Sequence, residues 1–88
     1  MSVRQELDSL LKTLIQQRDE IDVQLHLAGM EAKELWRQSE PKWASFLDQL
    51  GIINDDSKEA SAELMHAAKT IGDELKDIYQ EIQKRLGQ

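Results

Sequence analysis

Residues 36–56 read WRQSEPKWASFLDQLGIINDD, and this stretch decides how the chain is divided. Pro41 stands inside an apolar pattern of helical spacing, and Gly51 opens a run of turn-forming residues. A proline inside a helix removes one backbone hydrogen bond and clashes with the carbonyl four residues back, here that of Arg37. Ser39 could instead cap a fresh helix with Pro41 in its first turn, where proline is tolerated. The apolar phase carries through, because Leu25, Trp36 and Leu47 are evenly spaced across Pro41. The reading is therefore a kink at 39–41 rather than a break. Gly51 suits the position just past a helix end. A first helix is expected over about 3–50, a loop over 51–56 and a second helix over about 57–86. Asp55 or Asp56 would cap the second helix, and Asp56 with Glu59 has capping-box spacing.

Working outward, the apolar residues repeat every eleven positions. Val3, Leu14, Leu25, Trp36 and Leu47 form one series, and Leu10, Ile21, Ala32 and Trp43 a second. Leu64, Leu75 and Leu86, with Ala60, Ile71 and Ile82, continue the period; Ala67, Ala68 and Ile78 complete the stripe. Eleven residues in three turns favour nearly straight or slightly right-handed helix pairing. A seven-residue reading places Gln17, Gln24, Glu31 and Gln38 on one supposed core position, which argues against it. Lys84 and Arg85 suit the negative pole at the end of the second helix. Gly29 and Gly72 are unexplained by the pattern; a mid-helix glycine costs about 1 kcal/mol relative to alanine.

The fold class expected is all-α: an antiparallel hairpin of two long helices, assembling as a helical bundle. Folding about Ile53 and Asn54 pairs Trp43 with Leu64, Trp36 with Ile71, Ala32 with Leu75, Leu25 with Ile82 and Ile21 with Leu86. The expected hairpin core is Ile21, Leu25, Ala32, Trp36, Trp43, Leu47, Leu64, Ile71, Leu75, Ile78 and Ile82. In this arrangement residues 1 to 18 have no partner within the chain. Val3, Leu7, Leu10, Leu11, Leu14 and Ile15 would form an uncovered face, at about 1.5–3 kcal/mol for each large side chain buried. A homodimer built through this arm is expected. A break at Pro41 would instead fold the arm into a monomeric three-helix bundle.

Composition narrows the function. The 88 residues make one domain at most and contain no cysteine, so neither a disulfide nor a thiolate site is available. Charged residues are 32% of the chain, and the net charge of −6 repels phosphate backbones, which makes nucleic acid a poor partner. The N-terminus carries Glu6 and Asp8 and reads neither as a signal peptide nor as a membrane span; a cytoplasmic location is expected.

Chemical motifs are sparse. Glu63 and His66 have the Glu-x-x-His spacing of carboxylate-bridged metal bundles, with Glu31 or Glu34 as further ligands in a dimer. They flank the apolar stripe, so a surface pair is the preferred reading, and no metal or cofactor is expected. His26 is a candidate pH-sensitive interface residue. No serine lies in a glycine-rich elbow, and no phosphate loop is present. Trp36, Trp43 and Phe46 cluster near Pro41; the tryptophans read as core and Phe46 is left open. Leu27 and Met30 lie off the stripe and are candidates for a further interface.

Residues 24–36, Gln-Leu-His-Leu-Ala-Gly-Met-Glu-Ala-Lys-Glu-Leu-Trp, with Lys42 and Trp43, resemble a sequence of small uncharacterised bacterial coiled-coil proteins. Some cyanobacterial relatives of these carry a stress-response label. The resemblance implies a helical packing motif and brings no functional residues; Pro41 departs from the uninterrupted helix expected there. The function expected is a non-enzymatic structural or protein-interaction module, self-associating through its N-terminal arm and open to a further protein partner. The alternatives are a metal-binding bundle using Glu63 and His66, or a peripheral membrane binder using the arm with Arg4, Lys12 and Arg18.

Overall fold

The structure, a computed structural model, describes residues 2–55 and 61–86. They form three α-helices, α1 (Val3–Leu25), α2 (Met30–Ile53) and α3 (Ala62–Leu86), and no strand. Among them no helix is long and apolar enough to cross a membrane.

The expected long first helix is divided, and the division falls at 26–29 rather than at Pro41. Helix α1 starts on a capping box: the Gln5 backbone N–H donates to Ser2 Oγ, and the Ser2 N–H donates to Gln5 Oε1. It closes on two tight turns, with Leu27 and Ala28 donating to Gln24 and Leu25 carbonyls. Gly29 then takes extended angles as the N-cap of α2. Helix α2 runs through exposed Pro41, where the Arg37 carbonyl has no N–H to meet four residues on. Ser39 does not cap a helix. It is buried, and its Oγ donates back to the Trp36 carbonyl at 2.6 Å. Gly51 stays helical, and α2 closes at Ile53 instead of Leu50. Ser61 caps α3, accepting from the Leu64 N–H at 3.0 Å. The expected Asp56–Glu59 capping box lies outside the described residues.

Burial explains the division. The three helices have 23, 24 and 25 residues, and α1 and α2 each pack against α3. Breaking the helix at 26–29 forfeits a few backbone hydrogen bonds, worth about 1 kcal/mol net apiece. Folding α1 back removes Leu7 and Leu14 from water entirely and partly covers Val3, Leu10 and Leu11, at up to about 1.5–3 kcal/mol each. Burial wins, so the arm does not project from the molecule as the hairpin reading had it.

Helix α1 runs parallel to α3, with Glu6 beside Lys69 and Glu20 beside Gln83. Helix α2 runs antiparallel to α3, with Lys42 on Glu74 and Glu31 on Arg85. Trp36 therefore meets Tyr79, ring centroids 5.8 Å apart, about two turns along α3 from the Ile71 expected. The shift follows from the later end of α2 and the later start of α3, which move the reversal point along the chain.

The core repeats every seven residues, not eleven. Leu7, Leu14 and Ile21 are buried on α1; Ala32, Ser39, Phe46 and Ile53 on α2; Ala68, Leu75 and Ile82 on α3. This is the seam spacing of helical bundles. The period was hidden because a single phase had to cross the 26–29 break. Even Gln17, which had argued against it, is buried between Leu14 and Ile21, with its Oε1 unpaired among the described residues. In this phase Phe46 is fully buried and Leu47 is 43% exposed, the reverse of the emphasis the eleven-residue series gave them.

Gly72 now has a reason. A Cβ there would overlap Leu10 Cδ2 and lie 3.0 Å from Phe46 Cε1, so a bare backbone lets α1 and α2 both close on α3. Gly51 and its surroundings are open. Opposite signs are therefore expected for two identical changes. Gly72→Ala gains about 1 kcal/mol of helix propensity but overpacks the core by about 1–3 kcal/mol, a net loss. Gly51→Ala should gain about 0.5–1 kcal/mol. Urea midpoints followed by circular dichroism check both.

Candidate interaction surface

A cluster of aromatic and charged side chains from all three helices is built around Arg18 of α1. Its guanidinium carbon lies 4.6 Å from the ring centroids of both Trp36 and Trp43 of α2, and 5.9 Å from that of Tyr79 of α3. Nη1 donates to the Tyr79 hydroxyl at 2.7 Å and pairs with Glu40 Oε1 at 3.0 Å. The stem and head of Arg18 are thus held by all three helices. Burial alone would lower the guanidinium pKa; the hydrogen bonds to Tyr79 and Glu40 outweigh it, and the net direction is up. Burial pushes the Tyr79 phenol up, while hydrogen bonding to Arg18 and Ser39 pulls the other way. Planar stacking of a cation on aromatic faces is worth about 0.5–2 kcal/mol for each ring. Each charged group has its partner within the cluster, so its chemistry is that of a clamp that sets helix register.

Helices α1 and α2 both lie along α3, yet their backbones scarcely meet. Long side chains span the gap: Arg4 Nη2 donates to the Ile53 carbonyl at 2.8 Å, and Arg18 reaches Glu40. That register sets Leu11 level with Leu47, and Ile15 level with Trp43. Ile15 is 44% exposed, Leu47 is 43% exposed, and Leu11 and Trp43 are partly buried. An apolar seam therefore runs lengthwise between α1 and α2.

The residues singled out from sequence divide among three places. Ile21, Ala32, Leu75 and Ile82 are buried; Leu25, Trp36, Trp43, Leu64, Ile71 and Ile78 pack partly buried against the core; Leu47 faces the seam. Of the arm, Leu7 and Leu14 belong to the core of the same chain, and only Leu11 and Ile15 remain at the seam. Glu63 and His66 are exposed on the first turns of α3, and no three His, Asp or Glu gather to hold a metal among the described residues. His26 is exposed at the end of α1. Leu27 and Met30 stand out at the α1–α2 turn. The sequence reading missed Arg18 and Tyr79 as a unit. Arg4, Leu11, Arg18 and Leu25 are seven apart, which was the available signal that this edge of α1 faces another helix.

No family model matches the chain, and no curated protein or solved structure is significantly similar to it.

Proposed function

We propose that this chain is a non-enzymatic helical interaction module that associates with a second copy of itself along the α1–α2 seam. One observation carries the reading. Helices α1 and α2 flank α3 without closing on each other, like diagonal corners of a four-helix bundle whose remaining corner is open. Leu11, Ile15, Trp43 and Leu47 line that corner, so the part of the N-terminal arm left at the surface is the part available for association. Helix-on-helix packing needs no chemistry beyond such an apolar strip with a polar rim.

Sedimentation of the full chain is expected to give twice its 10.1 kDa mass at micromolar concentration. Ile15→Glu combined with Leu47→Lys is expected to leave helicity intact and give monomer only. A wild-type protein that stays monomeric across the concentration range, or a double variant that dimerises as well as wild type, removes the reading. The arm offers a membrane little, because Leu7 and Leu14 are already enclosed.

A further inference from the structure

We propose that the α1–α2 turn at 26–29 is a hinge, and that two copies of this chain exchange their α1 helices through it. In the opened form α1 and α2 join as one straight helix, and α1 sits on α3 of the second copy. The turn is not fixed by its own residues. His26 closes α1 with φ −66° and ψ −20°, which are helical angles. Gly29 has φ −71°, a helical value, and departs in ψ, at 172°. No described residue has a positive φ, and no side chain caps the start of α2. The turn is thus held by the packing of α1 on α3, and either chain can supply that packing. Because α1 must leave one α3 before it meets another, the exchange passes through unfolding and depends on the concentration at refolding.

Helix phase lets the exchanged pair close. In the hairpin, Arg18 of α1 faces Trp36 and Trp43 of α2. Eighteen residues make five turns of a straight helix, and Arg18 and Trp36 are eighteen apart. Leu14 and Ala32 have the same spacing, as do Ile21 and Ser39, and all four are buried. Straightening the turn therefore puts the faces that α1 and α2 turn towards each other, and towards α3, on one side of one helix. A spacing half a turn different would set those faces on opposite sides. The register of the hairpin, Arg4 with Ile53 and Arg18 with Glu40, places the two-fold axis of the pair at 28–29. Ala28 and Gly29 bring little bulk to the crossing of the two helices there. Laid antiparallel about that axis, the helices rebuild both bundles: each Arg18 enters between Trp36 and Trp43 of the second copy, and each Leu14 keeps its neighbours. The exchange is independent of the seam, and each bundle of the pair has a seam of its own.

A disulfide reports which chain supplies α1. A Cβ on Gly72 lies 3.1 Å from Leu10 Cγ, where a cysteine sulfur would sit, and Leu10→Cys removes the methyl that such a Cβ overlaps. Leu10→Cys/Gly72→Cys is refolded from urea at high concentration, oxidised and run on a non-reducing gel. The hairpin closes the disulfide within one chain, the exchanged pair closes it between two, and a seam dimer runs as single chains. Interchain product is expected. Gly29→Ala should raise the exchange constant about twentyfold, since each of two hinges gains helix propensity. Met30→Pro should abolish the product: proline is tolerated at the first position of α2, after an extended Gly29, but breaks the straight helix. The seam variant Ile15→Glu/Leu47→Lys should leave the product unchanged, so the two associations fail or stand separately. The proposal is overturned if only single chains appear with Gly29→Ala, or if Met30→Pro gives as much interchain product as Gly29→Ala. A second measurement covers a cysteine pair that prevents folding: Gly29→Ala and Met30→Pro, each in the cysteine-free Ile15→Glu/Leu47→Lys background, are refolded likewise and sedimented. Dimer for the first and monomer for the second are expected, and equal masses overturn the exchange.

Discussion

Leu14→Ala is expected to lower the unfolding free energy by about 2–5 kcal/mol, the cost of emptying a sealed core site. Leu14 is wholly buried at the middle of α1, in line with Leu7 and Ile21. The magnitude matters because a domain of this size has a total stability of about 5–15 kcal/mol at most, so a single truncation consumes a large share of it. Concentration dependence gives the result its meaning. If Leu14 were covered only by a second chain, the loss would vanish at dilutions where the dimer has separated. Since its cover comes from its own chain, the loss in urea midpoint should be the same at low and high protein concentration. Leu14→Met keeps the volume and should cost less than about 1.5 kcal/mol. Equal midpoints for Leu14→Ala and wild type would contradict the packing of α1 described above.

The second large effect belongs to Arg18. Arg18→Ala removes a cation from between two indoles and leaves Glu40 and the Tyr79 hydroxyl without it. Two partly desolvated cation–aromatic contacts and a charge-assisted hydrogen bond are together worth about 2–4 kcal/mol after solvent screening. Arg18→Lys separates charge from shape. Lysine restores the positive charge but neither the flat stack nor the forked donors, so its stability should fall between alanine and wild type. Tryptophan emission supplies a readout that simple destabilisation does not move. Both indoles face the guanidinium in the native fold, so the folded-state emission of each variant should differ from wild type under conditions where circular dichroism is unchanged. Identical native emission would place Arg18 outside the cluster.

The two substitutions bear on different levels of the structure. Leu14 reports on which helix covers the arm, and Arg18 on how the three helices are held in register. Tyr79, Glu40 and the two tryptophans come from α2 and α3, so no two-helix arrangement of α1 and α2 alone assembles the clamp.

Much of this was written locally in the chain. The helical state follows from apolar spacing, the scarcity of glycine and proline, and the absence of alternating patterns; α3 spans Ala62–Leu86 where a helix over about 57–86 was expected. Ile21, Ala32, Leu75 and Ile82 were recognisable as interior because a residue at the centre of an apolar stripe is interior in any packing of that helix. Leu27 and Met30 were recognisable as outliers for the converse reason. The break at 26–29, the reversed roles of Phe46 and Leu47, the bare backbone of Gly72 and the stacking of Arg18 were settled only in three dimensions. Each depends on a free-energy difference between whole arrangements: a few helical hydrogen bonds lost at the turn against the burial of an entire helix face. Local periodicity tells which side of a helix is apolar, but not which neighbour covers it or where the chain turns to let that happen.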